Sequence, residues 1–89
     1  MTARFRRHAD IRLTALEGEG VVLHLGSRSY FTVTETGLTI LDAIAEPKTF
    51  DQLVDTITSE YDVDRPRATA SVRTFLDRCL ESALVVELV

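Results

Sequence analysis

A change of hydrophobic period near Thr34 restricts the fold of this chain more than any other feature. Upstream, apolar residues recur at every second position, the repeat of a half-buried strand. Ile11-Arg12-Leu13-Thr14-Ala15-Leu16 alternates in this way. Val21-Val22-Leu23-His24-Leu25 sets Val21, Leu23 and Leu25 on one face and His24 on the other. Ser29-Tyr30-Phe31-Thr32-Val33 is rich in aromatic and β-branched residues, which suit a pleated surface. Glu17-Gly18-Glu19-Gly20 and Gly26-Ser27-Arg28 supply turn chemistry between the runs. Three short strands joined by tight turns make an antiparallel meander.

Downstream, the spacing is helical. Thr34 caps a first helix through its hydroxyl, and Leu38, Ile40, Leu41, Ile44 and Ala45 supply its apolar residues. Gly37 weakens its first turns by about 1 kcal/mol relative to Ala. Pro47 lies past its end. Thr49 and Gln52 form a capping box for a second helix with the stripe Phe50, Leu53, Val54 and Ile57. Asp64 caps a third helix that tolerates Pro66 in its first turn. The stripe of that helix is Ala68, Val72, Phe75, Leu76, Cys79 and Ala83. The tail from Leu84 to Val89 is β-prone and offers a last short strand. Strands and helices are segregated, which predicts an α+β fold. A three-stranded antiparallel sheet followed by three helices has the outline of a winged helix-turn-helix. With 89 residues there is room for one core.

Charge divides the chain. Residues 1–12 hold Arg4, Arg6, Arg7 and Arg12 against Asp10, whereas the remainder holds six basic and thirteen acidic side chains. Residues 1–9 are therefore expected to be a flexible, basic N-terminus, and residues 10–89 the folded domain. An acidic body disfavours non-specific nucleic-acid binding, which rests on neutralising phosphates. The longest apolar runs, such as Val21 to Leu25, are far short of the roughly 20 residues of a membrane span. No secretory signal is visible, and the single cysteine cannot form an internal disulfide. A cytoplasmic location away from membranes is the expectation.

No group in the sequence calls for catalysis, a metal or a cofactor. Cys79 lies on an apolar helical stripe and reads as a small buried hydrophobe. His24 stands alone on a strand and reads as a surface or hydrogen-bonded histidine. His8 lies in the basic start, and its spacing to His24 and Cys79 matches no zinc pattern. Asp51, Asp55, Glu60, Asp62 and Asp64 lack the order of a calcium loop and read as a solvated acidic face. Phosphate-binding and nucleophile-elbow motifs are absent from the sequence. Binding remains. If the third strand lies at a sheet edge, its free N–H and C=O groups can pair with an extended peptide. The rival is an edge covered by the terminal segment, and periodicity does not separate the two.

The ordered motifs resemble the PqqD family over residues 10–89. They begin with Ser29-Tyr30-Phe31-Thr32-Val33-Thr34-Glu35-Thr36-Gly37, followed by Ile40-Leu41 and Ile44. They continue with Thr49-Phe50-Asp51-Gln52-Leu53, Tyr61-Asp62-Val63-Asp64, Phe75-Leu76 and Ala83-Leu84-Val85. Four positions depart from the family pattern. Ser29 and Ala83 stand where Gly is common, Thr34 where Asn is, and Leu41 where Trp is.

The resemblance implies a non-catalytic recognition element for ribosomally made, modified peptides. Such an element binds the leader of a precursor as an added strand on the third strand, against the third helix. Carried onto this chain, the strand contacts are Arg28, Ser29, Tyr30, Phe31, Thr32 and Val33, with either the Tyr30/Thr32 or the Phe31/Val33 set facing the groove. On the third helix, Thr69, Val72, Arg73, Leu76, Asp77 and Leu80 form one flank at helical spacing. There Leu76 and Leu80 would make apolar pockets, and Arg73 and Asp77 would orient polar leader side chains. Val72, Leu76 and Leu80 read equally well as plain core. The chain is most similar to the small recognition proteins of lasso-peptide biosynthesis, where the partners are the precursor leader, a leader peptidase and a cyclase. Other peptide classes remain open, as does a winged helix DNA-binding regulator, for which Arg65, Arg67, Arg73 and Arg78 on the third helix would serve.

Overall fold

The computed structural model describes residues 2–88. The fold is α+β, and among the described residues there are two small antiparallel sheets and three helices. Its elements are β1 (Arg4–Arg7), β2 (Ile11–Leu16), β3 (Glu19–His24), β4 (Ser29–Thr34), α1 (Glu35–Ala43), β5 (Lys48–Thr49), α2 (Phe50–Glu60), α3 (Arg65–Glu81) and β6 (Val85–Leu88). The expected meander is present in the order β2-β3-β4. Its register pairs Ile11 with His24 and Leu23 with Tyr30.

Local chemistry sets the helix starts. Thr34 Oγ1 accepts the Gly37 N–H at 3.2 Å, and Asp64 Oδ1 accepts the Arg67 N–H at 2.9 Å. The Thr49 capping box is reciprocal: Thr49 Oγ1 accepts the Gln52 N–H at 3.2 Å, and Gln52 Oε1 accepts the Thr49 N–H at 2.9 Å. Each bond satisfies a donor that the helix itself leaves unpaired. At the end of α3 the Leu84 N–H donates to Cys79 O at 2.9 Å and the Ala83 N–H to Leu80 O at 3.3 Å. These are the two bonds of a Schellman motif, and Ala83 takes its left-handed position at φ 58°.

The basic start requires a correction. Residues Arg4–Arg7 are not a flexible terminus but form β1, the centre of a second sheet ordered β5-β1-β6. Arg6 pairs with Val86, and Phe5 pairs with both Glu87 and Lys48. The reason is Phe5, which is only 4% exposed and anchors the strand in the core while Arg4 and Arg6 stay in water. The terminal segment, expected as a last strand, is β6, and its partner is β1 rather than the meander.

The buried face of β3 also differs from the more apolar one. Gly20, Val22 and His24 point inward, while Leu23 and Leu25 are exposed. His24 is 6% exposed and hydrogen-bonded, with its Nδ1 accepting the Ser27 N–H at 3.3 Å. Its ring lies 4.8 Å from that of His8, centroid to centroid. The turn that follows is closed by Arg28 at φ 56°. The core joins Val22 to Ile40, Leu41, Ile44, Leu53, Val54, Ile57, Val72 and Leu76. Ala45, expected on the stripe of α1, is exposed beyond the end of that helix.

Candidate functional site

β4 is one edge of its sheet. Among the described residues no strand pairs with its outer side, because β6 is taken by β1. Half of the β4 backbone N–H and C=O groups therefore face away from β3 with no strand to receive them. Among the described residues, the edge that the sequence left undecided is open.

A groove of about 500 Å³ runs between this edge and α3. Phe31, Thr32, Val33 and Thr34 form its β4 side, and Phe75, Arg78, Cys79, Glu81 and Ser82 form its α3 side, with Leu84 below. Phe31 and Val33 are half-buried and turned toward the core, whereas Tyr30 is 73% exposed on the opposite face. The Phe31/Val33 set is turned toward the core, and Thr32 and Thr34 line the groove beside it. The two walls run antiparallel. Phe75 lies by Gly37 and Val33 at the end of β4, while Leu84 lies by His8 and hence by His24, the partner of Ser29 at its start.

Apolar side chains make the floor, and Thr32, Thr34, Arg78, Glu81 and Ser82 make an exposed polar rim. Burial pushes the Cys79 thiol up from its ordinary 9.0 to about 12, so it lines the floor as a neutral hydrophobe and not as a nucleophile. Among the described residues no cluster of three potential metal ligands occurs, and no buried side-chain polar atom lacks a partner. The arrangement suits an extended peptide, with backbone pairing along one side and an apolar trough under alternate side chains.

Of the sequence-derived strand residues, Phe31, Thr32 and Val33 line the groove, while Arg28, Ser29 and Tyr30 do not. None of the six helix residues named from spacing lines it. Val72 and Leu76 are 0% exposed in the core, Leu80 packs against the core, and Thr69 is half-buried. Arg73 sits 4.4 Å over the Phe50 ring of α2 and pairs with Asp77 at 3.4 Å. That flank of α3 faces α2, and the groove uses the adjoining flank of Phe75, Arg78, Cys79 and Ser82. The signal for it was the width of the apolar stripe. Phe75 and Cys79, four residues apart, extend the stripe beyond what contact with α2 requires.

The chain belongs to the PqqD family: the family model described as coenzyme PQQ synthesis protein D matches residues 19–85. Two solved structures share the fold. TbiB1 in complex with the TbiA(beta) leader peptide matches with a TM-score of 0.79 and 30% identity, over 90% of this chain and 93% of that one. Lasso peptide synthetase B1 complexed with the leader peptide matches with a TM-score of 0.77 and 21% identity, over 92% of this chain and 96% of that one. No curated protein matches the chain.

Proposed function

We propose that this protein is a non-catalytic binder of a precursor leader peptide in lasso-peptide biosynthesis. The leader adds as a fourth strand to β4, with alternate side chains in the groove against α3. The observation that carries this reading is the unpaired β4 edge beside an apolar groove. The likeness to TbiB1, whose structure holds a leader peptide, supports it across nearly the whole chain. Main-chain bonds to β4 give register. Phe31, Val33 and Phe75 give apolar contact, and Thr32, Arg78 and Ser82 meet polar leader groups. Chemistry then belongs to partner enzymes, a leader peptidase and a cyclase, that act on the presented precursor in the cytoplasm. The exposed Leu23 and Tyr30, paired on the outer face of the same sheet, offer them an apolar surface next to the bound strand.

Duplex DNA is a poor fit for α3. Arg65 is paired with Asp55 at 2.6 Å and Arg73 with Asp77, so half of the helix's arginines already have acidic partners. The test is calorimetric titration with the leader encoded by the precursor gene beside this one. A dissociation constant of about 1 μM or tighter, roughly −8 kcal/mol, is expected. Absence of binding at high peptide concentration would overturn the reading.

A further inference from the structure

Among the described residues, two charged side chains on the groove rim have no ion-pair partner. The ion pairs among the described residues join Arg65 to Asp51 and Asp55, and Arg73 to Asp77. Arg78 and Glu81 take part in none of them, yet both line the groove and both are exposed. Asp77, the acid next to Arg78, is already held by Arg73 on the other flank of α3. Among the described residues Arg78 thus has no acidic partner, and it turns its charge to whatever occupies the groove.

The setting makes that cation selective. Residues 13–89 carry six basic and thirteen acidic side chains, so an acidic peptide approaching this body meets a repulsive field. One local cation reverses the sign at a single point of the groove. Glu81, three residues further along the helix, restores it about 4.5 Å away along the axis. We propose that the groove selects a leader strand with an Asp or Glu side chain in register with Arg78, and rejects a carboxylate opposite Glu81. This rests on the leader-binding reading and deepens it by assigning the charge of the ligand.

The geometry also places the acid relative to the apolar anchor. Side chains on one face of a strand repeat every two residues, or about 6.7 Å. Phe75 and Arg78 lie three residues apart on α3, about 4.5 Å along the axis, and a guanidinium on a long side chain spans the difference. A leader residue packed on Val33 and Phe75 is therefore followed or preceded, two positions away, by the carboxylate that meets Arg78.

The experiment uses the full chain and the synthetic leader of the neighbouring precursor, with each Asp or Glu in the peptide changed singly to its amide or to Lys. Arg78→Gln is expected to weaken binding about fivefold and to reduce its salt dependence. Arg78→Glu is expected to weaken it by about tenfold or more, with affinity recovered by the peptide whose matching acid is replaced by Lys. Melting temperatures, taken in parallel, exclude loss of folding as the cause, and recovery by the Lys peptide is not produced by a structural defect. Equal binding by wild type, Arg78→Gln and Arg78→Glu would overturn the inference and leave leader binding intact. A leader whose groove-facing residues include no acid would overturn it as well. Failure of the wild type to bind would instead overturn the leader-binding reading.

Discussion

Phe75 packs directly on Gly37. A Cβ built at Gly37 would lie 2.7 Å from Phe75 Cε1 and 3.3 Å from Val33 Cβ. The first turn of α1 thus has no side chain where the ring of α3 must sit, and the ring in turn forms one end of the groove. The glycine that looks like a weak helix start is a seat for the groove wall. Gly37→Ala adds about 1 kcal/mol of helix propensity and forces the ring aside at a similar cost. The expected outcome is a melting temperature close to wild type with leader affinity reduced by about tenfold, or about 1.4 kcal/mol. Parallel thermal melts and peptide titrations measure both. Unchanged affinity would remove Phe75 from the binding wall.

Arg73 tests which flank of α3 the peptide meets. Its guanidinium covers the Phe50 ring at 4.4 Å and faces α2. Arg73→Ala removes an exposed cation–π contact, a loss of about 0.5–1 kcal/mol in stability by chemical denaturation. Leader affinity is expected to change less than about twofold, since an exposed charge outside the contact contributes little. A tenfold loss would place the site on the Thr69-Arg73-Asp77 flank instead.

What the sequence made legible follows from the range of the interactions involved. The caps at Thr34, Thr49 and Asp64 are contacts across three residues, and all three form. The meander's strands and turns are local in the same sense. The inward face of β3 is not. Val21, Leu23 and Leu25 are the more apolar set, but Gly20 and His24 are buried because of partners far along the chain. A Cβ at Gly20 would lie 2.9 Å from Leu38 Cδ1, and the His24 ring lies against that of His8, tilted by 42°. β1 offers one apolar residue among arginines, too short an alternation to read without β5 and β6 beside it. The site shows the same division. Phe31, Thr32 and Val33 follow from the strand, while the α3 wall depends on which side of that helix α2 occupies.

Ala83 carries a removable strain. It sits at φ 58° in the Schellman motif that ends α3, where the resemblance noted in the sequence has Gly. A left-handed backbone costs an L-residue about 1–2 kcal/mol, partly offset by the greater unfolded-state entropy of glycine. Ala83→Gly is therefore expected to stabilise the protein by about 1 kcal/mol, which raises the melting temperature of a domain this size by about 4–8 °C. A lower melting temperature would show that the left-handed turn is not formed in solution.

Tyr61 ties the α2–α3 junction to α1. Thr39 Oγ1 lies 2.7 Å from Tyr61 Oη and also donates to Glu35 O at 3.1 Å. The threonine has one hydroxyl proton, so Tyr61 is the donor of the shorter bond. Tyr61→Phe keeps the ring's packing and deletes that donor, for a loss of about 1 kcal/mol by denaturant titration. A change below about 0.3 kcal/mol would mean that water replaces the bond at no cost.

Cys79 gives the folded state an alkaline limit. Burial raises its thiol to about 12 in the folded protein, against 9.0 without burial. The unfolded chain thus releases this proton first as pH rises. The neutral thiol's contribution to stability is complete below pH 9 and is lost as pH rises toward 12. Between these limits the loss is about 1.4 kcal/mol per pH unit. The informative quantity is a difference between two proteins, because every group they share cancels. Cys79→Ala lowers stability at neutral pH by leaving a small void, but it removes this one proton from the balance. The stability gap between wild type and Cys79→Ala, from urea unfolding at intervals from pH 8 to pH 11, is expected to narrow above pH 9 in favour of the variant. A gap that stays constant across that range would mean that the thiol is reached by water in the folded state, and that the groove floor at Cys79 opens.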